Sequence, residues 1–304
     1  MKNKALRLIA GPCSIDQSNL KEVYQISRIK VKSKPAIWGT RVVGLKSRTL
    51  LDKTGEGMGM DFDSFNKNLN QAINKKNLSR LIYPESLKLA EEILKKTHFI
   101  IATEIMDPIL QLSCMEKPIF NSRALIWNPA VNQLGWPVFI TSAFARKHNW
   151  WIGLKNPKWV GEDLKKADSN KFTAITTMEK TWEGLATYAD YKSKTVLIHR
   201  GVDVPQKGRY RNAPVHNIAK RVKQRTGCLL FFDPSHSYGP QMRSDILPAT
   251  VKAMKMLISK DEFLYDGILI EAGTSKTDAE QHISLTELKV LVNELSKFRE
   301  LIVD

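Results

Sequence analysis

The chain has 304 residues, of which 42% are hydrophobic, and a formal net charge of +16. This length suits a single (β/α)8 barrel, which typically takes about 250 residues, and excludes a small disulfide scaffold. The three cysteines, Cys13, Cys114 and Cys228, are few and odd in number, so we expect a reduced, cytoplasmic protein. Neither a signal peptide nor a run of about 18 apolar residues is present, and we expect no membrane partner.

The positive charge comes mostly from lysines scattered along the chain. Such a basic balance favours anionic partners, which include nucleic acid, acidic lipid and phosphorylated metabolites. The lysines stand singly or in pairs, as in Lys75-Lys76 and Lys165-Lys166, rather than in one block. This distribution favours a solvated basic surface over a dedicated nucleic-acid-binding face.

Apolar, β-rich segments alternate with helical patterns along the whole chain. Several strand segments are continuous apolar runs, as expected for parallel strands that are buried on both faces. The predicted strands are Ala5–Pro12, 36–44, 99–105, Ala124–Trp127, 150–154, Thr195–His199, 228–232 and 267–270. The predicted helices include 20–29, 62–73, 84–95, a helix capped by Thr176 and Glu179 that runs to about Tyr188, 246–258 and 285–301. We therefore predict one (β/α)8 barrel over residues 1–304, without an appended regulatory domain.

Three potential metal ligands lie at or just beyond the ends of predicted strands. Cys13, His236 and Glu271 offer a thiolate, an imidazole and a carboxylate, a mixed set that suits a divalent transition metal. Asp278 could add a fourth ligand from the following loop. Each residue alone has a structural alternative, since cysteine and histidine are often buried core residues. Together, at the carboxyl ends of barrel strands, they predict a metal centre.

A cationic set follows the same strand ends. Arg41, Lys46 and Arg48 surround the end of the second predicted strand, Lys155 ends the fifth, and Arg200 ends the sixth. A single such residue would usually belong to a solvated rim. Cations that lie at three strand ends, on the same end of the predicted barrel, instead indicate a site for phosphate or carboxylate groups.

In chain order, these motifs resemble the class I 3-deoxy-7-phosphoheptulonate (DAHP) synthases and their octulosonate-phosphate synthase relatives. The matching segments are Gly11-Pro-Cys-Ser14, Arg41-x4-Lys46-Ser-Arg48-Thr49, Thr103-Glu104-Ile-Met-Asp107, Lys155-Asn156, Arg200-Gly201, Tyr210-Arg211-Asn-Ala-Pro214, Asp233-Pro-Ser-His236, Glu271 and Thr277-Asp278-Ala-Glu-Gln281. The resemblance implies a metal bound by Cys13, His236, Glu271 and Asp278. It also implies that Arg41, Lys46, Glu104, Lys155 and Arg200 line the phosphoenolpyruvate site, and that Arg48 and Thr49 hold the sugar phosphate.

Three positions depart from the family pattern. Pro129-Ala130-Val131 stands where the family has Gly-Ala-Arg, Ser47 replaces a proline, and Ala272-Gly273 follows Glu271. The change at Val131 removes one phosphate-binding arginine. We expect either that another cation compensates or that the affinity for phosphoenolpyruvate is weak. Among the candidate cations Lys158, Arg209, Arg211 and Arg243 we prefer Arg211, because its loop follows the same strand as Arg200.

The function implied by the resemblance is the metal-dependent condensation of phosphoenolpyruvate with D-erythrose 4-phosphate, the first step of the shikimate pathway. Lys46, Lys155 and His236 are the candidate catalytic residues, and Mn²⁺, Co²⁺, Fe²⁺ or Zn²⁺ is the expected cofactor. A homo-oligomer, either a dimer or a tetramer, is expected. Two alternatives stay open, a related synthase that uses another aldose and a non-catalytic barrel that binds phosphorylated ligands or nucleic acid.

Overall fold

The computed structural model describes residues 4–41, 84–105, 108–128, 135–275 and 279–303. Several sequence predictions fall outside these ranges: the helix at 62–73 and the site residues Lys46, Arg48, Thr49, Val131 and Asp278. They remain predictions, and the architecture below concerns the described residues.

Eight parallel strands of the described chain close into a barrel. They are β1 Ala5–Gly11, β2 Gly39–Arg41, β3 Ile100–Glu104, β4 Ala124–Trp127, β5 Trp151–Lys155, β6 Thr195–His199, β7 Leu229–Phe232 and β8 Gly267–Glu271. Each strand pairs with its neighbours in chain order, and β8 closes the barrel on β1, with Gly11 opposite Glu271. The predicted (β/α)8 fold is confirmed.

Helices of the described chain lie between the strands and cover the outside of the barrel. They are α1 Leu20–Ser27, α2 Pro84–Lys96, α3 Pro108–Cys114, α4 Gly135–His148, α5 Leu164–Ala167, α6 Thr177–Ala189, α7 His216–Thr226, α8 Pro234–Tyr238, α9 Ile246–Met254 and α10 Leu285–Ser296. Among the described residues, no helix is both long enough and apolar enough to cross a membrane.

Alternation along the strands divides the buried side chains into two clusters. Ile9, Ala102, Ile198, Phe231 and Leu269 belong to a cluster that fills the barrel interior. The neighbouring strand residues point outward and pack, in a second and larger cluster, against the helices. Successive side chains of a strand point to opposite faces, so a strand residue two positions beyond an interior residue also faces inward. This rule determines which residues reach the barrel mouth.

Two predicted helices end early because a strand follows them. The helix predicted over 246–258 ends at Met254, because Leu257–Ser259 pairs with Glu262–Phe263 in a hairpin. The helix predicted over 285–301 ends at Ser296, because Glu300–Leu301 pairs with β1. Short apolar runs fit a helix or a strand equally well, and tertiary pairing decides between them.

Glu179, in α6, forms a buried link between α6 and α7. It completes the predicted capping box with Thr176 and accepts hydrogen bonds from Arg221 and Arg225. Burial raises the pKa of Glu179, but the hydrogen bonds from Arg221, Arg225 and Thr176 have a larger, opposite effect. The net pKa is about 2. Because this pKa lies below the ordinary 4.5, the carboxylate contributes stability above pH 4.5 that is lost as the pH falls towards 2.

We expect Glu179→Gln to lower the free energy of unfolding at neutral pH by about 3 kcal/mol, because two arginines lose a buried partner. Urea denaturation measures this loss, and the gap to the native protein should narrow as the pH falls below 4.5. Glu183→Gln is the matched control, since Glu183 also pairs with Arg225 but is more exposed and should cost at most about 1 kcal/mol. Equal losses in the two variants would contradict this account of Glu179.

Candidate active site at the carboxyl ends of the strands

Polar side chains occupy the barrel mouth because they follow interior residues by two positions. Glu104 follows Ala102, Arg200 follows Ile198, and Glu271 follows Leu269. By the same alternation Arg41, Lys155 and Asp233 face inward at the ends of β2, β5 and β7. The strands are parallel, so all of these groups meet at the face where (β/α)8 enzymes keep their chemistry.

Arg41 is at the centre of an acidic cluster. Its Nη2 donates to Glu271 Oε1 at 3.0 Å, and its Nη1 lies 4.0 Å from Asp233 Oδ1. All three side chains are buried. Burial disfavours the charged guanidinium, but Glu271 and Asp233 outweigh this effect and raise the pKa of Arg41. The arginine is therefore a permanent positive charge inside the mouth.

Lys155 forms the second buried ion pair. Its Nζ donates to Glu104 Oε1 at 2.9 Å and lies 5.1 Å from the centre of the Trp127 ring. Burial is the main reason that the pKa of Lys155 is lowered, with the charge of Arg200 adding to it, while Glu104 acts in the opposite direction. Glu104, predicted as a substrate-binding residue, therefore holds the Lys155 ammonium at the mouth.

The end of β6 positions Arg200. Its backbone N–H donates to Asn156 Oδ1 at 2.7 Å, and the Asn156 amide donates to the Gly201 carbonyl at 2.9 Å. Gly201 has a φ of +86°, and a β-carbon there would overlap the backbone of Asn212. The glycine allows the chain to turn sharply directly after Arg200.

Several buried donors at this mouth have no hydrogen-bond partner among the described residues. They are Arg41 Nε and Nη1, Trp127 Nε1 and Arg200 Nε. Buried polar groups are nearly always satisfied, and an exception at a functional site often indicates a ligand that is not in the structure. Four N–H-bearing atoms on three strand ends, two of those ends bearing guanidinium groups, are suited to an anionic ligand with several oxygen atoms.

His236 lies in the first turn after β7. Its Nδ1 is 2.9 Å from Asp233 Oδ2 and 3.9 Å from Glu271 Oε1. Burial lowers the pKa of His236 well below 6.5, and Arg200, Arg211 and Arg41 add to this effect while Glu271 opposes it. A neutral ring whose Nδ1–H donates to Asp233 leaves Nε2 available as a ligand or a proton acceptor.

A potential metal cluster of the described residues contains Cys13, Glu271 and His282. One donor atom of each lies within 4.8 Å of the others, and all three residues are buried. Thiolate, carboxylate and imidazole donors fit a divalent transition metal. His282 is not among the ligands predicted from the sequence, although it follows the predicted ligand Asp278 by only four positions. His236 is not a member of this cluster, and its role as a ligand remains a prediction.

Gln281 connects Glu271 to Arg211. Its Nε2 donates to Glu271 Oε2, and its Oε1 accepts from Arg211 Nη1. Only this orientation of the amide satisfies both partners, because a carboxylate accepts and a guanidinium donates. Arg211 is therefore linked through Gln281 to a carboxylate of the metal cluster, and its role at a phosphate group remains a prediction.

The other cations considered for compensation have different surroundings. Arg243 is held by both carboxylate oxygens of Glu287 and by the His282 carbonyl. Arg209 is exposed and donates to the Gln241 carbonyl at 3.1 Å. Lys158 lies near Arg200 and Arg211, whose charges add to the effect of burial in lowering its pKa. Arg211 and Lys158 thus both interact electrostatically with Arg200.

The architecture is a (β/α)8 barrel whose mouth combines a buried cysteine–glutamate–histidine cluster with convergent cations. A solved structure similar to this chain is the phospho-2-dehydro-3-deoxyheptonate aldolase (DAHP synthase) of Thermotoga maritima, with a TM-score of 0.64. The two share 19% identity over 97% of this chain and 69% of that chain. At this identity the likeness establishes the barrel fold. No protein-family model and no curated protein matches the sequence.

Proposed function

We propose that the protein is a metal-dependent synthase that condenses phosphoenolpyruvate with an aldose phosphate, D-erythrose 4-phosphate in the first instance. The observation that carries this proposal is the set of buried donors without partners on Arg41, Trp127 and Arg200, beside the potential metal cluster. Phosphoenolpyruvate combines a carboxylate with a phosphate and would accept hydrogen bonds from several of these groups. The barrel shared with a DAHP synthase supports the same substrate class.

Binding of phosphoenolpyruvate would use the cations in different ways. Lys155 and Arg41 are buried and already paired with carboxylates, so each has a fixed position before substrate arrives. Arg200 and Arg211 lie closer to the opening and would receive the phosphate. Such preorganisation directs C3 of the enol towards the aldehyde, and positioning of this kind can contribute about 7–11 kcal/mol to catalysis.

Carbon–carbon bond formation requires polarisation of the aldehyde or activation of a water molecule. A divalent ion bound at the Cys13 and Glu271 cluster would supply this Lewis acidity. The neutral His236, whose Nδ1–H donates to Asp233, would help to hold this ion through Nε2. Water adds to C2 of phosphoenolpyruvate, and phosphate then leaves. The balanced reaction joins C3 of phosphoenolpyruvate to the aldehyde carbon, consumes one water and releases inorganic phosphate.

The choice of aldose rests on residues outside the described ranges. Arg48 and Thr49 match the pair that holds the phosphate of the four-carbon sugar in the family that the sequence resembles. A five-carbon aldose phosphate, as used by octulosonate-phosphate synthases, is the second candidate, favoured by Val131 in place of the family arginine. A nucleic-acid ligand is less compatible with the site, because Arg41 and Lys155 are buried where a polyanion cannot reach.

A phosphate-release assay tests the proposal. The protein, loaded with Mn²⁺, Co²⁺, Fe²⁺ or Zn²⁺ in turn, is mixed with phosphoenolpyruvate and a panel of four-, five- and six-carbon aldose phosphates. We expect release with D-erythrose 4-phosphate and little release without an aldose. Release that depends only on another aldose would favour the second candidate, and no release with any aldose and any metal would contradict the proposed activity.

Arg211 provides a prediction for the missing family arginine. We expect Arg211→Ala to weaken phosphoenolpyruvate binding about tenfold to hundredfold, because a charge-assisted hydrogen bond contributes about 1.5–3 kcal/mol. Titration of phosphoenolpyruvate measures the effect, and Arg243→Ala serves as a control whose guanidinium is held by Glu287. Val131→Arg in the same assay should strengthen binding. If Arg211→Ala binds phosphoenolpyruvate as tightly as the native protein does, Arg211 does not replace the missing family arginine.

The remaining parts of the proposal concern the state of the protein in the cell. We propose a cytoplasmic homo-oligomer, either a dimer or a tetramer. Light scattering of the purified protein determines the mass in solution and distinguishes these states from a monomer.

A further inference from the structure

The segment after β8 returns to the barrel mouth and brings His282 with it. Ile283 pairs in parallel with Ala272, its N–H donates to the Glu271 carbonyl at 3.0 Å, and the Gly273 N–H donates to the Ile283 carbonyl at 2.9 Å. These bonds fix the backbone on both sides of the strand end. The His282 side chain is consequently buried above Glu271 rather than exposed at the rim.

Hydrogen bonding determines which nitrogen of His282 carries the proton. Nδ1 lies 2.7 Å from the Gly273 carbonyl oxygen, which can only accept, so the hydrogen is on Nδ1 in the neutral ring. The lone pair of Nε2 then points to the interior, where Glu271 Oε2 is 3.8 Å away. A histidine held by a carbonyl at one nitrogen, with the other nitrogen directed at a metal, is the usual arrangement in metalloproteins.

The spacing of the three donors matches a single ion. Donor atoms of Cys13, Glu271 and His282 lie within 4.8 Å of one another. Metal–ligand bonds of about 2.0–2.3 Å place tetrahedral ligands roughly 3.4–3.8 Å apart, so small side-chain movements would complete the site. The same Nε2 accepts from the Cys13 backbone N–H at 3.3 Å, which is at the long end of the range for a hydrogen bond. A purely structural role would keep this contact, together with the Nδ1 hydrogen bond to Gly273, and would need no metal.

We propose that His282 is a metal ligand, so that this chain supplies imidazole from the segment after β8 as well as from His236. The inference builds on the metal centre of the proposed function and names its ligand chemistry. A thiolate with two imidazoles and one carboxylate favours Zn²⁺, Co²⁺ or Fe²⁺ over Mn²⁺ and Mg²⁺, whose preferred ligands are oxygen atoms. Metal binding is measured without substrates, so this inference and the proposed reaction can fail separately.

The experiment compares the metal affinity of the native protein with that of His282→Ala, His282→Gln and a control, His148→Ala. His148 contacts Glu116 and Asn121, away from the barrel mouth. The glutamine of the His282→Gln variant can still accept from the Cys13 N–H but is a poor ligand for a soft transition metal, so it separates the two roles of His282. Zn²⁺ and Mn²⁺ affinities come from competition with a chromophoric chelator, and Co²⁺ absorption reports the ligand set.

We expect both His282 variants to bind Zn²⁺ on the order of 100-fold more weakly than the native protein. A residue that only orients a metal ligand typically has an effect of about 10- to 100-fold, so the loss should lie at or above the upper end of that range. Mn²⁺ binding should change less, and the thiolate-to-Co²⁺ band should persist while the remaining spectrum shifts. Native Zn²⁺ affinity in either His282 variant would overturn the proposal.

A measurement on the native protein covers the case in which a variant does not fold. With histidine labelled at its ring nitrogens, bound cadmium should couple to the Nε2 atoms of two histidines, assigned with a His236→Gln variant. Coupling to His236 alone, or to no histidine, would overturn the role of His282.

Discussion

Replacing Cys13 with alanine is expected to abolish turnover and the binding of stoichiometric metal. Cys13 is a buried cysteine two residues after the end of β1, and it shares a potential metal cluster with Glu271 and His282. Removal of the thiolate takes away the donor that most favours a transition metal. Lewis-acid stabilisation contributes several kcal/mol, and about 4 kcal/mol corresponds to roughly 1000-fold in rate.

Metal analysis and steady-state kinetics on the same preparation test this expectation. Chelation of the native protein should reproduce the loss, and Mn²⁺, Co²⁺, Fe²⁺ or Zn²⁺ should restore activity to the native protein but not to Cys13→Ala. Cys228→Ala is the matched control, because Cys228 is also a buried cysteine but precedes β7, at the opposite end of the barrel. Full activity of a chelated, metal-free preparation would contradict a metal-dependent reaction.

The second large effect is expected for Arg200→Ala, which should raise the KM for phosphoenolpyruvate about tenfold to hundredfold. The Arg200 Nε is a buried donor without a hydrogen-bond partner among the described residues. Its removal loses a charge-assisted hydrogen bond, which contributes about 1.5–3 kcal/mol. If the contact is made equally in the ground state and in the transition state, KM rises while kcat is unchanged.

Two further variants make the Arg200 result specific. Arg200→Lys keeps the charge but lacks the planar guanidinium, so it should recover only part of the affinity. Arg209→Ala removes an exposed arginine from the same loop and should leave KM unchanged. A native KM in Arg200→Ala would place this residue in a solvated rim, the alternative that the sequence leaves open.

The sequence predicted the barrel well because its strands are buried on both faces. Continuous apolar runs such as Thr195–His199 and Ala124–Trp127 have the observed bounds, since no amphipathic alternation obscures them. Helix ends were less predictable: Leu257–Ser259 and Glu300–Leu301 continue an apolar pattern but pair as strands. Glu300–Leu301 pairs with the distant strand β1, whereas Leu257–Ser259 pairs with the adjacent Glu262–Phe263, and a short apolar run alone does not decide between helix and strand.

Sequence reasoning located side chains at the barrel mouth where a residue ends a strand, and their roles remain predictions. Arg41, Lys155 and Glu271 face inward because of strand alternation, so their convergence follows from the fold. His282 and the bridging role of Gln281 were missed, because both lie on a segment that returns to the mouth after β8. Its return depends on backbone bonds between Glu271, Gly273 and Ile283, which no spacing rule predicts.

The most direct test of the central claim is phosphorus NMR of the metal-loaded protein with phosphoenolpyruvate and D-erythrose 4-phosphate. The proposed function predicts that the phosphoenolpyruvate signal is replaced by equal amounts of inorganic phosphate and one new sugar-phosphate signal, and only when both substrates and the metal are present. Persistence of both substrate signals, with any of the candidate metals and with four- or five-carbon aldose phosphates, would contradict the assignment of a phosphoenolpyruvate-condensing synthase.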